Sequence, residues 1–324
     1  MLEALRHCLA VCLALSLSSG ALADPAYPNK PIRLVVPYPP GGTVEVMARA
    51  IGEEITKAWG QPVVVDSKPG ASGSIGSALV ARAPADGYTL VFGTQSTHGT
   101  NSLLFKDIGY DPVKDFEPVT MVAAAPLLLV VNPKLPVNTA RELVAYIKRQ
   151  PQGLNYASAS TGGGGHLAGA MFARAQGVQL VHVPYKGSGP ARNDLIAGHV
   201  PFMFDNIASS LPAAQQGLLR ALAVTSTART GAAPDLPTMQ EAGIDDVIID
   251  TWYAIYAPAG TPRSIVQKLS AEVARILRLP NVAARFKGLG LDVVAGTPDE
   301  LASRMKTDLQ RYGKIIREAE IRVE

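Results

Sequence analysis

Thiol chemistry is the first thing this sequence does without. Among 324 residues there are two cysteines, Cys8 and Cys12, and both lie in the first 23 positions. Beyond that segment the chain offers no disulfide, no reactive thiol and no cysteine-based metal site. Aromatic residues are scarce at 6%, and the formal net charge is only +3. No run of Lys and Arg with interleaved aromatics occurs, so the electrostatic footprint of a nucleic-acid binder is missing. Motifs of hydrolysis and nucleotide turnover are missing too. Gly70-Ala71-Ser72-Gly73-Ser74 carries serine where a G-x-S-x-G nucleophile turn needs its last glycine, and no G-x-x-x-x-G-K-[ST] is found. His98, His166, His182 and His199 each stand alone, with no i,i+4 partner, so neither a helical metal pair nor a cofactor is expected.

What is present begins with a leader pattern. Residues 1–23 have a charged start at Arg6, an apolar centre from Cys8 to Leu17 and a small-x-small site, Ala21-Leu22-Ala23. A cleaved secretory signal peptide is expected, since that centre falls short of the roughly 20 residues that cross a bilayer. The remaining length, in a chain 47% hydrophobic and 18% charged, supports a large core divided into two lobes.

The stretch Arg33–Arg49 organises the rest. Arg33–Val36 is a β-branched run, and Pro37, Pro39, Pro40, Gly41 and Gly42 stop it, because proline removes ladder donors and glycine permits turns. From Thr43 the apolar residues Val44, Ala48 and Ile51 recur at helical spacing, with Glu45 able to reach back to the helix start as in a capping box. Strand, loop and helix then repeat: strands at Ile32–Val36, Pro62–Asp66 and Tyr88–Gly93, helices at Thr43–Trp59 and Ser74–Ala83. This is a parallel, doubly wound unit. Two apolar β-rich runs, Val119–Asn132 and Ile248–Ala257, read as crossovers to and from a second α/β lobe that repeats the architecture without the sequence. The divisions expected are 24–127, 128–250 and the return 251–324, whose C-terminal helices should pack on the first lobe. Two crossovers between two lobes make a hinge.

Several loops at strand ends are polar and glycine-rich. In an open α/β sheet, such junctions present backbone N–H groups and the positive ends of helix dipoles to an anion. Candidate ligand-binding residues are Tyr38, Gly41, Gly42 and Thr43 in the first loop and Thr94, Gln95 and Ser96 in the third. In the second lobe they are Ser158, Ser160, Thr161, Gly162, Gly163 and His166, then Tyr185, Gly187 and Ser188, then Asp205. Gly163, Gly165 and Ala168 match a loose dinucleotide fingerprint, but the ribose-binding acid due about 20 residues on is missing. His166 at a helix start is a neutral donor or a structural contact. Ser188 is placed to cap its helix, and Lys186 either is solvated or pairs with a ligand acid. Asp205 either caps the next helix or faces the ligand.

Taken together, Tyr27-Pro28, Arg33–Arg49, Lys68–Gly76, Pro84–Gly93, Asn155–Leu167, Tyr185–Ala191, Phe204–Asn206 and Asp250–Pro262 resemble the TctC or Bug family, the solute receptors of tripartite tricarboxylate transporters. The resemblance spans essentially the mature chain. It implies a two-lobed, type II periplasmic-binding-protein fold with a cleft that captures a small carboxylate, partly through water, and passes it to a membrane permease. It also implies a periplasmic, monomeric, non-enzymatic protein. Glu45 replaces the family's usual Asp, and Ser67-Lys68-Pro69 replaces Asn-Arg/Lys-Pro. The readings set against it are a ligand-sensing receptor for the same acids and an α/β enzyme acting on them.

Overall fold

A computed structural model describes residues 27–319 and residue 321; the signal-peptide reading and both cysteines lie outside these. The chain alternates strands and helices in the order β1 (Ile32–Val36), α1 (Thr43–Trp59), β2 (Val63–Ser67), α2 (Ser74–Ala81), β3 (Thr89–Thr94) and, after a π-turn at Ser96–Thr100, the single turn α3 (Asn101–Leu104). Then come β4 (Phe116–Val131), α4 (Ala140–Lys148), β5 (Leu154–Ser158), α5 (Gly164–Gln176), β6 (Leu180–Pro184), α6 (Ser188–Ala197), β7 (Phe202–Asn206), α7 (Ile207–Gln215) and β8 (Arg220–Val224). The chain ends with β9 (Asp250–Pro258), α8 (Arg263–Leu277), α9 (Pro280–Gly288), β10 (Asp292–Val293) and α10 (Pro298–Glu318). Element types follow the periodicities of the sequence. The third loop, expected at Thr94–Ser96, is partly replaced by the π-turn.

The strands run in the order β2-β1-β3-β9-β4-β7-β5-β6, with β8 and β10 also on β4. Within this sheet β1, β2 and β3 are mutually parallel, as are β5, β6 and β7, while β4 and β9 run antiparallel to their neighbours. Strand β4 changes partners part-way along. From Phe116 to Pro126 it pairs with β9, and from Leu127 to Val131 with β7 and β8. Proline has no amide to give a ladder, so Pro126 is a natural point for the change. The amide of Leu127 instead donates to Thr225 Oγ1 at 2.9 Å, and the Thr225 hydroxyl donates to the carbonyl of Ile249, one residue before β9.

This pairing sets the site. Strand β3 ends at Thr94, opposite Tyr253, which is opposite Ala123 of β4; β7 ends at Asn206, opposite Leu127. The C-terminal ends of both parallel sets therefore point toward each other across Ala123–Leu127, a span of about 13 Å at roughly 3.3 Å per residue.

The last helix departs from expectation. It starts with a full capping box between Thr297 and Glu300, and its first half seats Leu301 and Met305 with Val35 and Trp252. Its second half leaves the first lobe: Tyr312, Ile315 and Ile316 join Leu167 and Phe172 of α5 in another core. Thus α10 straddles the two parallel sets rather than packing on the first alone. Among the described residues, no helix is long and apolar enough to cross a membrane.

Candidate functional site

Five helices start at the strand ends that face one another. Helices α1, α2, α5, α6 and α7 follow β1, β2, β5, β6 and β7, with Gly42, Gly73, Gly163, Gly187 and Asn206 at their N-caps. Among the described residues, none of these caps makes a side-chain bond to the N–H groups of its own helix. Of the other helices, α4 and α10 are capped by Thr139 and Thr297, while α8 and α9, like these five, have no side-chain cap bond. The first N–H groups of an uncapped helix have no intrahelical partner and lie at the positive end of its dipole.

In the first loop Gly41 takes a left-handed φ of +84°, which glycine adopts without strain. Its amide donates to Glu45 Oε2 at 2.5 Å, and Arg49 Nε donates to Glu45 Oε1 at 2.8 Å. The Glu45 carboxylate therefore reaches one residue past the N-cap, Gly42, rather than to it. Those two donors hold its pKa below the ordinary value, Gly41 contributing most. Tyr38 and Thr94 come together, their hydroxyls 2.6 Å apart. Burial pushes the Tyr38 phenol up to about 12, so it stays a neutral donor. Thr43 and Ser96 are half-buried, and Gln95, next to Ser96, is buried.

In the second set, the loop Ser158–Gly163 is tied from behind. The Ser158 hydroxyl donates to the Ser160 carbonyl at 2.8 Å and lies 2.6 Å from His182 Nε2; the Gly162 amide donates to His166 Nδ1 at 3.0 Å. The two imidazoles stack, centroids 3.6 Å apart. Desolvation lowers His166 to about 4 and His182 to about 3, the latter also through its neighbour's charge. His182 does not stand alone, as its sequence context suggested. The β5–β6 register puts it opposite Tyr156, next to the start of α5. Thr161 is half-buried.

The other candidates are also accounted for. Ser188 is not the N-cap: Gly187 is, at φ +114°, and the Ser188 hydroxyl donates instead to Asp205 Oδ1 at 2.6 Å. Asp205 Oδ2 accepts from Ser210 at 2.6 Å, so this carboxyl is spent joining the starts of α6 and α7; burial raises its pKa against those bonds. The Tyr185 hydroxyl donates to Asp194 at 2.7 Å, and Lys186 is exposed. Backbone N–H groups, rather than His166, Tyr185 or Asp205, are thus what these loops have to offer. Leu104 and Thr251, not singled out from sequence, bring the sets into contact. A Cβ on Gly162 would lie 2.1 Å from Leu104 Cδ1 of α3, and Thr251 donates to Asn206 Oδ1 at 3.3 Å.

A family model described as "Tripartite tricarboxylate transporter family receptor", TctC, matches residues 47–321. The chain is 35% identical to BugT of Bordetella pertussis over 94% of its own length and 95% of that protein's. Among solved structures, R. palustris Rpa4515 with adipate superposes with a TM-score of 0.82 at 36% identity, covering 91% of this chain and 99% of that one. MatC from Rhodopseudomonas palustris with bound malate gives 0.77 at 33% identity, over 90% and 100%. The fold, the facing loops and these likenesses lead to one statement: the chain belongs to the TctC family of tripartite tricarboxylate transporter receptors.

Proposed function

We propose that this chain is a periplasmic solute receptor that holds a small organic acid between two lobes, residues 24–127 with 251–324 and residues 128–250, and presents it unchanged to a membrane permease. One observation carries the reading: five helices without side-chain caps start at strand ends that face the same space. Such an array binds carboxylates without a fixed positive side chain. Adipate in Rpa4515 and malate in MatC support this ligand class. The ligand-binding residues we assign are the loops at Tyr38–Thr43, Thr94–Ser96, Ser158–Gly163 and Gly187-Ser188.

The test is a thermal-shift screen of the mature protein against mono-, di- and tricarboxylates and acidic amino acids, followed by mass analysis of the recovered ligand. A ligand at one hundred times its Kd stabilises the fold by about 2.7 kcal/mol, an easily measured rise in melting temperature. An acid should raise it and be recovered intact. A screen in which no acid shifts the melting temperature, or a chemically altered acid, overturns the reading.

A further inference from the structure

We infer that His166 and His182 are positioning residues for the acid-binding loop, their stacked imidazoles holding Ser158–Gly163 in the shape that aims the N–H groups of α5 at the ligand. This rests on the function proposed above. Neither ring has to touch the ligand; both act through the loop.

The hydrogen positions follow from the bonds. The Ser158 hydroxyl gives its proton to the Ser160 carbonyl, so its lone pair accepts from His182 Nε2–H. The Gly162 amide has a proton to give, so His166 Nδ1 must be bare and its Nε2 protonated. The His166 anchor requires a neutral ring, whereas His182 can donate from Nε2 in either protonation state. An imidazolium at His166 would set N–H against N–H at Gly162, and either charge would sit 3.6 Å from the other ring.

The groups packed around the pair keep it neutral at ordinary pH. Tyr156 of β5 faces both rings, at 6.5 Å from His166 and 5.1 Å from His182. The charged group nearest along α5, Arg174, is paired with Glu318 of α10. A cavity of about 600 Å³ lies on the outer side, lined by Tyr156, His166, Arg174 and His182. Its lining includes none of Ser158–Gly163. Because burial lowers its pKa from 6.5 to about 4, the His166 anchor persists as pH falls past 6.5 and is lost as it approaches about 4.

Isosteres separate the roles. Asn places its Oδ1 near where histidine carries Nδ1, and Gln its Nε2 near histidine Nε2, so H166N keeps the acceptor for Gly162 and H182Q the donor to Ser158. Neither titrates. H166L and H182L remove the bonds while keeping bulk. Affinity for adipate and malate would be measured by calorimetry at pH 7 and between about pH 5 and about pH 4, with folding checked by circular dichroism. The expected result is wild-type affinity at pH 7 for H166N and H182Q, and a loss of at least about tenfold for H166L and H182L. On acidification, wild type and H182Q, which both keep His166, should lose more affinity than H166N at the same pH with the same ligand, so that the ligand's own protonation cancels. Should wild type bind no acid at all, the proposed function fails. Should wild type bind, with folded H166L and H182L matching it and all variants sharing one pH profile, this inference alone is overturned. If the leucine variants do not fold, the pH comparison between wild type and H166N still decides.

Discussion

Residues that touch a ligand through their backbone are poorly marked by their side chains, and the site turns on this. Gly163 has φ −73°, so a larger residue there is not strained by its backbone; a Cβ would press on Ser160 Oγ at 2.5 Å and fill the approach to the loop. Lys186 is exposed. Gly163→Val should therefore weaken acid binding by at least about tenfold, through one or two lost bonds to a charged group of roughly 1.5–3 kcal/mol each. Lys186→Ala should change it far less. Titration calorimetry on both variants, each shown to be folded, decides; the reverse order would replace amide binding with a direct ion pair. The glycine loops were legible because proline and glycine punctuate the strand ends. Ser188 and His182 were not. The first is claimed by Asp205 from a different strand, and the second meets His166 only through the register of β5 on β6. Sequence spacing carries neither contact.

Element types could be read from periodicity, but partners could not. The apolar positions of α10 form a single stripe in sequence, yet Leu301 and Met305 enter one core and Tyr312 and Ile316 another. A stripe reports that a face is buried without saying against what. Between those two groups sits Asp308, buried and accepting from Trp252 Nε1 at 2.8 Å and Arg304 Nε at 2.8 Å. Arg304 also pairs with Asp250, at the first residue of β9. Removing one partner from a buried charge network costs about 3–5 kcal/mol, and the partial exposure of Arg304 favours the lower end. Asp308→Ala should lower unfolding free energy by about 3 kcal/mol, read from urea denaturation. A midpoint indistinguishable from wild type would mean that the helix is held by its apolar contacts alone.

At the scale of the molecule, the chain passes between the two facing sets at β4 and β9, beside Pro126 and Asp250, and again along α10. Leu104 against Gly162 and Thr251 against Asn206 close the remaining gap. A ligand held by both sets should favour the arrangement in which these contacts form. Small-angle scattering should show a smaller radius of gyration with saturating acid than without. If the radius does not change while calorimetry reports binding, capture proceeds without hinge closure.

The position of β9 has a consequence for how the chain comes to be folded. It lies between β3 and β4, yet a whole second α/β unit is synthesised before its residues appear. Until then β3 and β4 each present a bare ladder edge, and the sheet of the first set is complete only when a late segment threads between two early ones. Pairing at such separations is slow, because the chain must order a long loop before the strand is rewarded with contacts. A newly made or interrupted chain is therefore most exposed to pairing with its own copies along those two edges, and protection from aggregation arrives with residues 250–258.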